Sequence, residues 1–148
     1  MQLTKIRIGT KDLPIRIDYN VIEVIEEEFE TLEKFRMKLL GFTWKRNEDG
    51  TYVYDDEGRP KPEITKPSIK AMKRMLVLMV NEGLKADAYE RHAEYEPMDD
   101  DQIIMECELE QMYLVQIIEE ELARCQRVKK PIPGGEGGKS KKKLTSPG

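Results

Sequence analysis

The sequence is poor in the side chains that most often build catalytic and metal sites. It contains one histidine and two cysteines among 148 residues. A structural zinc site needs several cysteine or histidine ligands at short spacing, and acid–base catalysis most often places a histidine beside a partner. No such set of ligands accompanies His92. We therefore expect a non-enzymatic protein that holds no cofactor and no metal ion.

Phosphate-binding loops and convergent acidic clusters are also missing from the sequence. The stretch Gly134–Gly138 follows no predicted strand and precedes no predicted helix, so its composition indicates a linker. The runs Glu26–Glu28 and Asp99–Asp101 are acidic, but consecutive helical residues point about 100° apart and cannot converge on one cation. We interpret them as a solvated helix face and as the first turn of a helix.

Long hydrophobic runs are absent as well. The chain has no apolar stretch long enough to span a membrane, and it does not begin with the charged-then-apolar pattern of a secretion signal. We therefore expect a cytosolic protein without a membrane partner. Along one continuous helix Cys107 and Cys125 would lie about 27 Å apart, which is too far for a disulfide. Their position on an apolar stripe favours a role as small core residues.

Charge divides the chain into two parts. Charged residues make up 36% of it and apolar residues 39%, which is enough for one small core. The net charge is −4, but residues 129–148 hold six lysines and one glutamate, so residues 1–128 carry −9. We expect a single α+β domain at 1–128 and a flexible tail rich in glycine, proline and lysine at 129–148. The acidic body and the lack of aromatics among the tail lysines make nucleic acid an unlikely partner.

Alternating apolar residues predict an N-terminal antiparallel β-hairpin. Ile6 and Ile8 define the face of the first strand, and Ile15 and Ile17 define that of the second. The connection between them, residues 9–14, is predicted to be a loose turn.

A glutamate-rich amphipathic helix should follow the hairpin. Asn20 stands before its apolar stripe as a candidate N-cap, so the helix is predicted to begin at Val21. Gly41 is a natural C′ residue, and the helix is predicted to end there.

The helical period is lost in residues 42–58, which indicate a second hairpin. The turn of this hairpin could lie at Asp49-Gly50, a dipeptide suited to positive φ, or within residues 55–58. Three prolines in the following residues predict a stiff connector into the next helix.

Two further helices complete the predicted fold. Residues 68–82 carry the broadest apolar stripe and should form the most buried helix, ended by Gly83. After an ambiguous stretch at 84–96, a helix is predicted from about Asp100 to Val128, long enough at about 40 Å to project from the domain. The elements together predict an α+β fold, mainly helical, in which an N-terminal antiparallel β-hairpin precedes a helical bundle.

Methionines recur at helical spacing along these predicted helices. Flexible, polarizable methionine suits surfaces that accept varied apolar partners, although it also fills irregular cores. The sequence leaves both roles open. The candidate partner-binding residues are Met72, Met75, Met79, Met105 and Met112.

The order of these elements resembles the tail assembly chaperones of long-tailed bacteriophages. The resemblance lies in Lys5–Gly9 and Leu13–Asn20, which look like that family's short strand pair, and in Val21–Phe29, which looks like its acidic helix. Residues 68–83 are similar to the apolar helix that follows in the family. The segment at 42–66 and the helix predicted after Asp99 go beyond the family pattern.

The resemblance implies a non-enzymatic protein that binds the apolar, helical tape measure protein and keeps it soluble while the tail tube assembles around it. It also implies action in the cytoplasm of a host bacterium and self-association. In that family a programmed frameshift often produces a longer form, so such a form is a further expected partner. No family residue is catalytic, and the resemblance therefore transfers no site residue.

A second class of function fits the charge of the chain. A small acidic adaptor or inhibitor could cover a basic surface of another protein, such as a DNA-binding protein. Binding of that kind should weaken strongly with added salt, whereas binding in an apolar groove should tolerate salt better.

Overall fold

The computed structural model describes residues 2–129 and places five helices and two small antiparallel sheets along them. This confirms the predicted α+β, mainly helical fold with its N-terminal hairpin. Apart from Lys129, which ends the last helix, the predicted tail lies outside the described residues. The elements are β1 (Thr4–Ile8), β2 (Lys11–Ile15), α1 (Tyr19–Phe29), α2 (Leu32–Leu40), β3 (Phe42–Trp44), β4 (Pro62–Ile64), α3 (Ile69–Glu90), α4 (Asp100–Glu106) and α5 (Gln111–Lys129).

The N-terminal hairpin turns more tightly than its sequence indicates. Ile8 pairs with Lys11, so the turn has two residues, and Gly9 at its first position has a φ of 62°. The predicted loose turn at 9–14 is therefore wrong, because residues 11–14 already belong to β2. Pro14 is compatible with this strand because it lies opposite Lys5, a pair that exchanges no hydrogen bond in a two-residue hairpin.

Helix α1 begins two residues earlier than predicted. Its N-cap is Asp18, whose Oδ1 accepts hydrogen bonds from the backbone N–H groups of Asn20 at 3.0 Å and Val21 at 3.4 Å. Asp18 has an extended backbone and is almost fully buried. Asn20 therefore lies inside the first turn, and the aspartate two residues before it satisfies the free backbone donors.

The predicted single helix up to Gly41 is in fact two helices. Glu30 adopts a φ of 75°, and Thr31 then caps α2 by accepting a hydrogen bond from the Lys34 N–H at 3.0 Å. The break lets the Phe29 ring meet the buried Phe35 ring edge to face, with centroids 5.2 Å apart. The predicted end is confirmed, since Gly41 has a φ of 85° and closes α2.

Residues 42–65 fold differently from the predicted hairpin at 42–58. Strand β3 pairs with β4, which lies beyond the predicted range, and the chain between them makes two tight turns. Both alternatives for the turn are therefore used, with Gly50 at a φ of 90° and Gly58 at a φ of 79°. A ring of three backbone hydrogen bonds, 2.8–3.0 Å long, joins Lys45, Val53 and Lys61 and explains this pairing.

Helix α3 does not end at Gly83, as predicted, but runs on to Glu90. A Cβ atom on Gly83 would lie 2.1 Å from the backbone oxygen of Pro14. The glycine therefore lets α3 pack directly against β2, and the Arg16 N–H donates to the Met79 carbonyl at 2.9 Å beside this contact. Close approach of two backbones, and not helix termination, explains the glycine.

The predicted long helix from Asp100 to Val128 is also wrong, because residues 107–110 separate α4 from α5. The Glu106 carbonyl, at the end of α4, accepts a hydrogen bond from the Gly9 N–H at 2.9 Å. The break lets both helices pack on the core instead of projecting from it. Their buried apolar side chains are Ile103, Leu114, Val115, Ile118, Leu122 and Cys125.

Candidate partner-binding surfaces

The structure separates the five candidate methionines. Met75 and Met79 are completely buried in the core, and Met72 is half-buried against it. Met105 on α4 is 81% exposed and Met112 on α5 is 54% exposed. One helical stripe thus supplies core side chains, while the methionines on either side of the α4–α5 break face solvent. The partner-binding role of the set stays a prediction.

An open groove lies between the end of α1, the first half of α3 and helix α4. Its volume is about 340 Å³. Its apolar lining comes from Phe29, Ile69, Val77 and Ile104, and its charged rim from Glu28, Lys70, Lys73, Arg74 and Asp100. We call this feature the apolar groove. Three separate helices build it, so no local sequence pattern indicates it.

The rim of the apolar groove combines a fixed ion pair with two available cations. Arg74 donates to both carboxylate oxygens of Glu28, with Nε–Oε1 at 2.9 Å and NH2–Oε2 at 2.7 Å. This bidentate pair holds the end of α1 against α3. Lys70 and Lys73 are exposed and form no ion pair with another described residue. They are free to meet acidic side chains of a partner.

A second feature is a pair of carboxyl groups between the start of α1 and the middle of α3. Glu82 hydrogen-bonds to Asp18, and burial together with this bond raises the pKa of Glu82. Burial alone would also raise the pKa of Asp18, but hydrogen bonds from Glu82 and Arg16 lower it below its ordinary value. The Arg16 Nε lies 2.9 Å from Asp18 Oδ2, and Asn20 donates to Glu82 Oε2 at 2.9 Å. The opposite directions of these two pKa values make Glu82 the member of the pair that takes up a proton first as the pH falls.

This carboxyl pair borders a cavity of about 410 Å³, which Lys85, Ala86 and Tyr89 also line. Sequence reasoning missed the pair because its members belong to different elements and neither has a distinctive neighbour. The pair has a structural role. Asp18 caps α1, and the hydrogen bond from Glu82 links this cap to α3.

We predict that Glu82→Gln makes the protein more stable at neutral pH. The raised pKa of Glu82 means that its protonated form stabilises the fold at low pH, and this contribution is lost as the pH rises through that value. Glutamine keeps a neutral donor at every pH. We expect a gain of about 1 kcal/mol in the free energy of unfolding near neutral pH and almost none near pH 4. Thermal unfolding followed by circular dichroism at several pH values measures both.

The exposed Glu26 on α1 offers a matched control. Glu26→Gln should alter stability by less than about 0.5 kcal/mol at each pH. A gain from Glu82→Gln that is the same at low and neutral pH would contradict the raised pKa of Glu82.

No helix in residues 2–129 is long and apolar enough to cross a membrane. Within the same residues, no group of three or more histidine, cysteine, aspartate or glutamate side chains is placed to hold a metal ion. A scan against protein-family models finds no matching family, and searches of curated proteins and of solved structures find no match.

Proposed function

We propose that the protein is a tail assembly chaperone of a long-tailed bacteriophage, without enzymatic activity, that binds a helical segment of the tape measure protein in the host cytoplasm. The observation that carries the proposal is the apolar groove, an uncovered apolar surface on an otherwise acidic body. The resemblance of the hairpin and the acidic helix to that family supports it independently.

The apolar groove suits an amphipathic helix as its occupant. Phe29, Val77 and Ile104 form a floor for apolar side chains spaced three and four residues apart on a partner helix. Lys70 and Lys73 stand on the rim, where acidic residues beside that apolar stripe would meet them. The partner we propose is therefore a helix with an apolar stripe flanked by acidic residues.

The modest size of the apolar groove fits a temporary escort. A groove of about 340 Å³ offers few positions for anchoring side chains. Affinity depends on how well such anchors are buried, and a partner held by few of them dissociates readily. A chaperone of this kind has to release its client when the tail tube forms. Met105 is exposed on the same helix α4 but does not line the groove, so its contact with a partner stays a prediction.

Co-expression tests the proposal. Overlapping tape measure segments are expressed with and without this chain, and their soluble fractions are measured. We expect wild type to raise the soluble fraction of at least one apolar segment. Ile69→Asp should weaken binding of that segment about tenfold, equivalent to about 1.4 kcal/mol, and so lower its soluble fraction, because it places a charge in the groove.

The chain offers a matched control for this variant. Ile64 on β4 is 85% exposed and lies outside the groove, whereas Ile69 is 43% exposed and lines it. Ile64→Asp should therefore rescue the segment as well as wild type does. Equal aggregation with and without the wild-type chain, for every segment, would refute the proposal.

The exposed glutamates of α1 support a second candidate, the acidic adaptor. Glu23, Glu26 and Glu27 face solvent and form no ion pair with another described residue. They could cover a basic surface of a partner protein. A partner captured through them would dissociate between low salt and about 0.5 M salt, whereas a groove-bound helix would remain bound.

A further inference from the structure

Strand β1 has an outer edge that no other strand covers. Among residues 2–129 it pairs with β2 alone, in a sheet of two strands. The outer edge of β2 is occupied by α3, since the Arg16 N–H bonds to the Met79 carbonyl and the Pro14 carbonyl faces Gly83. An uncovered strand edge presents rows of free backbone donors and acceptors, which can template another strand.

The pairing register identifies the free backbone groups. Ile8 and Lys11 flank the two-residue turn, so they exchange hydrogen bonds, as does every second pair along the hairpin. The N–H and C=O groups of Lys5 and Arg7 consequently point away from β2. Gly9, the next residue in this series, shows the direction, because its N–H donates outward to the Glu106 carbonyl at 2.9 Å. No other described residue supplies a backbone partner to Lys5 or Arg7 on that side.

A cleft runs along this edge, between β1 and α5. Its volume is about 290 Å³, and Thr4–Arg7 form one of its walls. The opposite wall contains three apolar side chains, of which Tyr113 is 52% exposed. The residues of this wall are Leu109, Tyr113, Ile117, Glu120 and Glu121. We call this feature the edge cleft.

We propose that the edge cleft binds an extended peptide segment of another protein, which adds to β1 as a third strand and alternates acidic with apolar side chains. Backbone hydrogen bonds to Lys5 and Arg7 would supply the pairing. Because side chains alternate along a strand, the peptide residues that lie beside Lys5 and Arg7 face solvent. Those between them pack inward against Leu109, Tyr113 and Ile117.

Charge selects the acidic partner over a second copy of this chain. If two β1 edges paired antiparallel about Ile6, Lys5 of one copy would lie opposite Arg7 of the other, and directly opposed like charges are destabilising. Lys5 is exposed. Arg7 forms a weak ion pair with the solvent-exposed Asp12 at 3.2 Å and donates to the Thr10 carbonyl at 2.7 Å, both at the solvent-exposed turn. Acidic side chains placed beside these two cations would be attracted to them, whereas the cations of a second copy would be repelled.

The charges on the opposite wall do not oppose this choice. Glu121 is nearly buried and pairs with Arg124, whose Nε lies 3.2 Å from Oε1, so its charge is matched within α5. Glu120 is exposed and can turn toward solvent. The edge cleft shares no lining residue with the apolar groove, so this inference does not depend on the proposed function.

The probe is a fluorescent synthetic peptide of alternating glutamate and valine, tested by anisotropy on the full chain. A peptide of alternating lysine and valine is its counterpart. We expect the glutamate peptide to bind at least tenfold more tightly than the lysine peptide. Lys5→Pro removes the outward N–H and the charge but no hairpin hydrogen bond, and should weaken binding at least tenfold. Lys5→Ala, which keeps the N–H, should weaken it about threefold.

Amide hydrogen exchange on the wild-type protein gives a readout that does not depend on any variant folding. Saturating glutamate peptide should slow exchange at Lys5 and Arg7 at least tenfold. It should slow exchange much less at Ile6 and Ile8, whose N–H groups already bond within the hairpin. Absence of binding, equal binding of the two peptides, or unchanged exchange at Lys5 and Arg7 would each overturn the proposal. Ile69→Asp should bind the peptide like wild type.

Discussion

Replacing Gly83 by alanine should destabilise the protein by about 3 kcal/mol and lower its melting temperature by roughly 10 °C. The added methyl carbon would lie 2.1 Å from the Pro14 backbone oxygen, far inside van der Waals contact. The obstacle is main chain and cannot rotate away, so α3 and β2 must separate. Chemical denaturation measures the change in the free energy of unfolding.

The sign of this effect distinguishes close packing from helix propensity. Alanine at an unobstructed glycine inside a helix stabilises by roughly 1 kcal/mol, so a stabilised Gly83→Ala variant would contradict the contact between α3 and β2. Gly50→Ala is the control, since nothing lies within 4 Å of the added carbon and only the positive φ of 90° is strained. That variant should lose about 1 kcal/mol.

Met79→Ala and Met105→Ala should differ in their loss of stability, because Met79 is a core residue and Met105 is a surface residue. Met79 is fully buried, so its truncation leaves a cavity and should cost about 3 kcal/mol in the free energy of unfolding. Met105 is 81% exposed, and its truncation should cost less than about 0.5 kcal/mol. Urea unfolding of both variants beside wild type makes the comparison. Similar losses in the two would mean that α4 buries Met105 more deeply than the structure shows.

Local signals in the sequence predicted some ends of helices correctly and gave no sign of the breaks within the predicted helices. Gly41 closes α2 and α4 begins at Asp100, as predicted, whereas Asn20 does not cap α1 and Gly83 does not end α3. Just before the break at 107–110, the Glu106 carbonyl accepts a hydrogen bond from Gly9, a residue distant in the chain. Apolar spacings of three and four continue across that break, so the periodicity gives no sign of it.

The candidate surfaces were harder to predict than the fold. The Glu28–Arg74 pair on the groove rim joins residues 46 positions apart, and the groove floor comes from three helices. The spacing of the methionines correctly identifies an apolar stripe on α3, but it does not indicate which elements pack against that stripe. Several elements pack against α3. Met75 and Met79 are core residues for that reason.

Helix α3 is the central packing element of the fold, since β2, α1, α2, α4 and α5 all contact it. These five elements lose their packing together if α3 unfolds, so we expect the part of the fold that they form to unfold in one cooperative step. A partner bound along α3 would therefore stabilise all five of these elements together. We expect its binding to raise the melting temperature of these elements together, and not to protect one region alone.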